Sequence, residues 1–189
     1  MRLFAEHGAT RVTVSELAAA AGMARGTVYS HVPDVDGLFE AVAAELSREM
    51  VERVAAGFGT LADPAARLSI GVRQYLRRAH EEPHWGRFMS RFGLNPVLLA
   101  ALADSDPVAD FRAGIASGRY RIAPAQLPAA VGLLAGATLA AMLPILDGRA
   151  TWRAVGADTA EMLLVALGLD RAEARALATT PLPELPPAP

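Results

Sequence analysis

The stretch Thr13–Val42, TVSELAAAAGMARGTVYSHVPDVDGLFEAV, constrains the fold more than any other part of the chain. Thr13 can cap a helix, and Glu16 three residues later completes a T-x-x-E box, in which side chains and backbone amides satisfy one another. Ser15 to Ala21 is strong helix former, and Gly22 stands where the backbone must turn through a positive φ. Ala18 is small enough to let a second helix, about Arg25 to Ser30, cross closely. Leu17, Met23 and Val28 are the apolar residues expected inside that crossing. Arg25, Thr27, Tyr29, Ser30 and His31 remain outside, with side chains suited to phosphates and base edges. This is the helix-turn-helix arrangement that enters a major groove. The plainer alternative is an ordinary helical hairpin with no DNA role.

Taken from its start, LFAEHGATRVTVSELAAAAGMARGTVYSHVPDVDGLFEAV closely resembles the DNA-binding domain of TetR-family transcriptional regulators. Caps, turn glycine, crossing alanine and a phosphate-reaching tyrosine recur together, which makes the match specific. The resemblance implies an all-α protein, with a helix-turn-helix DNA-binding domain over residues 1–46 and a larger helical ligand-binding and dimerisation domain over 47–178. It implies a cytoplasmic homodimer, most often a repressor, released from a double-stranded DNA operator by a small-molecule inducer. The implied DNA contacts are Arg25, Thr27, Tyr29, Ser30 and His31, with Thr13 offering its amide and hydroxyl to a phosphate at a helix start. No cofactor is implied, and no catalytic set is visible.

Three departures from the family pattern stand out. Val35 occupies a position where lysine is usual, Val32 replaces the usual aromatic, and Met1–Phe4 aligns with the middle of the first helix. The first helix thus reads as cut short. A shortened helix should expose Leu17 and Val28, so the expectation is a native N-terminus that extends further. Charge adds to the puzzle. The formal net charge is −2, and residues 1–46 carry three arginines against six carboxylates. Cations near phosphates supply most non-specific affinity, so this segment alone should bind DNA weakly. A helical interaction or ligand-binding protein with a degenerate DNA-binding head is therefore the alternative.

The rest of the chain reads as helices. Asp34 is a plausible cap for a long helix from Val35 to about Phe58, with Leu38, Val42, Leu46, Met50 and Val54 on one face. Asp63-Pro64 opens another to about Glu82, with Leu68, Val72, Tyr75, Leu76 and Ala79 inward. Arg67, Arg73, Arg77 and Arg78 read as a solvated face. His80 and His84 are four apart, but Pro83 breaks the one-face geometry that a metal pair needs, so no metal site is expected. Trp85, Phe88, Met89 and Phe92 follow on a short helix ended by Gly93. They are core residues or, with Tyr75 and His84, the lining of an apolar ligand cavity. Asn95-Pro96 opens a helix to about Ala103, and Asp106-Pro107 opens another.

Residues 127–146, LPAAVGLLAGATLAAMLPIL, carry no charge over a length that could span a membrane. Alanine and glycine outnumber leucine, Pro128 and Pro144 bracket the run, and the flanks lack basic and aromatic anchors. The favoured reading is a close-packing helix that meets a second copy. Ala130, Gly132, Gly136, Ala137, Ala140 and Ala141 supply its small face. Val155, Met162, Leu163 and Leu167 form the matching stripe on a last helix from Trp152. The sequence contains no cysteine, which excludes disulfides and thiolate metal sites. No secretory leader is expected. Residues 179–189, TTPLPELPPAP, are proline-dense and read as an extended, disordered tail.

Overall fold

The computed structural model describes residues 1–7, 10–32, 34–35, 37–96, 98–99 and 106–186, with only the backbone described for His7, Tyr29 and Asp106. The regular secondary structure among the described residues is all helix, with no strand. The head comprises α1 (Arg2–His7), α2 (Val14–Ala21) and α3 (Arg25–His31). Helix α4 (Leu38–Ala56) leads from the head into the body, which comprises α5 (Pro64–Glu81), α6 (Pro83–Phe92), α7 (Asp106–Ala116), α8 (Leu127–Leu146), α9 (Trp152–Ala166) and α10 (Arg171–Thr179). The helix expected from Asn95 to Ala103 falls largely outside the described residues.

The local signals act as their chemistry dictates. The Thr13 hydroxyl accepts the Glu16 amide at 3.2 Å, and the Glu16 carboxylate accepts the Thr13 amide at 2.7 Å. Gly22 ends α2 at φ +63°, a left-handed conformation open to glycine at little cost. Asp63 caps α5 by accepting from the Ala65 amide at 3.0 Å, with Pro64 in the first turn. Asp34 behaves differently from expectation. Its carboxylate accepts the Gly37 amide at 2.9 Å, closing a turn outside the helix, so α4 starts at Leu38 rather than Val35. In the head crossing, Ala18 and Val28 are buried, while Met23 is 41% exposed on the turn. The expected exposure of Val28 does not arise, because the α2–α3 crossing covers it.

Helix α5 is the centre of the body, packing on α4, α6, α7, α8, α9 and α10. Its arginines do not form one solvated face. Arg78 is only 4% exposed, ion-paired with Glu49 of α4 at 3.1 Å and with Glu82 at 3.1 Å. Its guanidinium also lies 4.6 Å over the Trp85 ring. Ser69 and Gln74 of the same helix are buried too, each donating to a distant carbonyl, of Leu177 and Pro183 respectively.

That last bond helps to hold the C-terminal segment. Residues 180–186 are extended, as proline dictates, but lie against the body instead of hanging free. Arg73 donates to the Thr180 carbonyl at 2.6 Å, Gln74 to Pro183 at 2.7 Å and Arg53 to Pro186 at 2.6 Å, while Leu185 packs on the core. Extended chain has no internal hydrogen bonds, so its carbonyls are free to accept from these three side chains.

Helix α8 is long and apolar enough to cross a membrane by length and composition, yet it packs on α5, α6 and α9. The expected contact stripe needs redrawing. Ala130, Leu163 and Leu167 are buried within their own chain, whereas Leu133, Leu143, Met162 and Val165 are exposed. Helical phase explains this: Leu163, Leu164 and Leu167 enter the two core clusters, which leaves Met162 and Val165 on the outer side of α9.

Candidate DNA-reading head and ligand cavity

Of the side chains that sequence reasoning singles out on α3, Arg25, Ser30 and His31 are exposed. Arg25 lies exposed at the helix start and pairs with no carboxylate among the described residues. Ser30 donates from its hydroxyl to the Thr27 carbonyl at 2.8 Å, and His31 Nδ1 lies 2.8 Å from the same oxygen. A carbonyl only accepts, so His31 must carry its proton on Nδ1 there. Nε2 is left as its outward polar atom. Thr27 is half-buried, and its carbonyl is what these two neighbours share. Tyr29 lies on the same helix, its side chain outside the described residues. Thr13 is exposed at the start of α2, its hydroxyl and amide both engaged with Glu16, so a phosphate there has to displace that carboxylate.

The head is keyed to the body through aromatic rings. Phe4 of α1 meets Phe39 of α4 edge-on at 5.4 Å, and Phe39 meets Phe92 and Phe88 of α6 at 5.1 and 5.8 Å. All four are buried. Phe39 sits in the first turn of α4, so the helix leaving the head is anchored where it enters the body.

Further along α4 the packing opens into a cavity of about 140 Å³. Its walls come from α4 (Ser47, Val51, Val54, Ala55), α5 (Arg67, Leu68, Gly71, Val72, Tyr75), α6 (Met89), α7 (Asp110, Phe111) and α8 (Leu134, Thr138, Leu139), with Phe58 and Tyr120 from the connections. The walls are mostly apolar, with a few polar groups, the composition usual for a small-molecule site. Of the expected ligand residues, Tyr75 and Met89 reach the cavity. Trp85, Phe88 and Phe92 do not: they are buried in the core, Phe88 and Phe92 in the aromatic key and Trp85 against Tyr75. His84 is exposed on α6, away from the cavity. Sequence reasoning missed Arg67, Asp110, Phe111 and Thr138, since their convergence depends on how three helices pack.

Charges in the cavity are balanced internally. Arg67 pairs with Asp110 at 3.0 Å and lies 4.6 Å over the Phe58 ring. Tyr75 keeps some open surface onto the cavity, but protein surrounds its phenol and burial pushes it up to about 12, so it stays neutral at neutral pH. Burial likewise raises Tyr120, whose hydroxyl donates to the Pro64 carbonyl at 2.9 Å. No cluster of metal-ligating side chains occurs among the described residues.

Comparison with known proteins bears on both regions. Residues 1–42 match the family model of bacterial regulatory proteins of the tetR family, and residues 63–180 match the Tetracyclin repressor-like C-terminal domain. The HTH-type transcriptional repressor Rv1474c of Mycobacterium tuberculosis is 47% identical over 55 residues, 29% of this chain and 27% of that repressor. The match therefore spans about a quarter of the curated relative's length. RolR in complex with its ligand resorcinol aligns with 97% of this chain and 91% of its own, at 29% identity and a TM-score of 0.75. Ligand-free RolR aligns with 97% and 95% at 27% identity and a TM-score of 0.64. With family models covering the head and most of the body, the chain belongs to the TetR family of transcriptional regulators.

Proposed function

We propose that this regulator is a repressor that leaves its operator when a small molecule fills the cavity of the helical body. The observation that carries the reading is the shared helix. Ser47, Val51, Val54 and Ala55 of α4 line the cavity, and Phe39 at the other end of α4 holds α1 of the head. A ligand that binds better to one placement of α4 shifts the population of head positions toward it. Two recognition helices read half-sites about one helical turn apart, so a changed spacing loses the operator. That RolR, similar over nearly the whole chain, was solved with resorcinol supports a small-molecule role for the body.

Arg25, Thr27, Tyr29, Ser30 and His31, with Thr13 at a phosphate, are the side chains we assign to DNA. The functional unit is a cytoplasmic homodimer joined through α8 and α9, for which the exposed Leu133, Leu143, Met162 and Val165 offer apolar surface. The head is residues 1–46 and the body 47–178. The excess of carboxylates in the head makes salt dependence the informative variable.

A gel shift with the DNA upstream of the protein's own gene, at several salt concentrations, tests the reading. Specific retention that weakens with salt is expected. Absence of retention at low salt refutes it and favours a ligand-binding or interaction protein with a degenerate head.

A further inference from the structure

We propose that the cavity selects an uncharged, one-ring aromatic compound bearing a hydroxyl group, with Thr138 and Arg67 reading that hydroxyl; this rests on the body being a small-molecule site. Size comes first. An apolar cavity of about 150 Å³ is known to take benzene, and this one measures about 140 Å³. One ring with a small substituent fills it. Phe58, Phe111 and Tyr75 are among its walls, and aromatic side chains suit a planar aromatic guest.

The polar groups set the rest. Thr138 Oγ1 and Arg67 Nε both belong to wall residues, both are buried, and neither finds a hydrogen-bond partner among the described residues. Thr138 is 7% exposed. Buried donors without acceptors are costly, so a guest that supplies an oxygen here gains where a hydrocarbon does not. Arg67 Nε can only donate, whereas the Thr138 hydroxyl can donate or accept. A single guest hydroxyl suits both, accepting from Arg67 and exchanging a hydrogen bond with Thr138.

Charge excludes the acidic analogues. The Arg67 guanidinium already faces the Asp110 carboxylate at 3.0 Å, and Tyr75 is neutral. A guest carboxylate surrenders its hydration and meets Asp110 as well as Arg67. Thr138 and Arg67 thereby act as specificity residues, favouring a neutral hydroxyl over both a methyl group and a carboxylate.

Calorimetric titration of the full chain with phenol, toluene and benzoate at neutral pH tests this. Phenol is expected to bind about tenfold or more tightly than toluene, the effect of one well-placed hydrogen bond in a buried site. Benzoate is expected to bind more weakly than phenol. Thr138→Val, which keeps the volume, should bring phenol toward the toluene affinity and leave toluene unchanged, with an unaltered thermal melt as the folding control. Toluene or benzoate binding as tightly as phenol, or no binding of any of the three, overturns the proposal. The same preparation goes into the operator gel shift without ligand. Operator retention with no ligand binding sinks the ligand class alone, whereas phenol binding without operator retention sinks the repressor reading alone.

Discussion

Arg78 offers the sharpest test of how the body is held together. Its side chain is 5% exposed, and its guanidinium bonds Glu49 across the α4–α5 interface, reaches Glu82 on the same side, and covers the Trp85 ring. Replacing it with methionine keeps the apolar stem and deletes the charge. Removing one partner of a buried pair costs about 3–5 kcal/mol in general. Here Glu49 keeps Arg53 at 2.9 Å and Glu82 is 46% exposed, so Arg78→Met should sit at or just below the low end, about 2–3 kcal/mol. For a chain of this size that lowers the melting temperature by roughly 4–12 °C. The pH dependence follows from Glu49. Burial alone would raise its carboxyl, but the hydrogen bonds from Arg78 and Arg53 outweigh that and hold it below the usual range. A carboxylate depressed in the folded state contributes stability above its unfolded pKa of about 4.3, and that stability is lost as pH falls through the folded value. The gap between the wild type and Arg78→Met should therefore narrow below about pH 4. Urea titrations of the wild type, Arg78→Met, Glu49→Gln and the double variant, at neutral and acidic pH, measure this. A gap independent of pH, or a double variant whose loss equals the sum of the singles, refutes the coupling argument.

Three further outcomes are expected. Gly22→Val forces a branched side chain into φ +63° with open space around it; the cost is backbone strain alone, about 1–2 kcal/mol, read as weaker operator binding with the ligand affinity of the body unchanged. Deleting residues 181–189 removes the acceptors of Gln74 and Arg53 and the packing of Leu185, and at about 1 kcal/mol per lost bond it should destabilise the chain by about 2–3 kcal/mol in a urea titration. Arg25→Ala should blur base preference and lower the salt slope of binding by about one. Tyr29→Phe should weaken binding to all sequences alike; equal loss of specificity from both variants contradicts that division.

What could be read from the chain alone is what neighbours within a turn or two decide. The Thr13–Glu16 box, the positive φ at Gly22 and the Asp63-Pro64 start of α5 each involve residues at most a few positions apart. The same holds for the uncharged run that became α8, whose bounds follow from composition. Even there, Asp34 spent its carboxylate on a turn, because two local uses competed for it. The family followed from the same local pattern, since caps, turn and crossing alanine sit together in the head. Tertiary structure decided everything that joins distant segments. Arg78 is buried because Glu49, 29 positions away, arrives to meet it. The proline-rich tail is held because Arg53, 133 positions earlier, donates to Pro186. The cavity draws Arg67, Asp110 and Thr138 from three helices, and no period or motif links them. Aromatic residues at helical spacing carry the same signal whether they line a cavity or fill a core. Only the packing of α6 against Phe39 and Tyr75 assigned Trp85, Phe88 and Phe92 to the core.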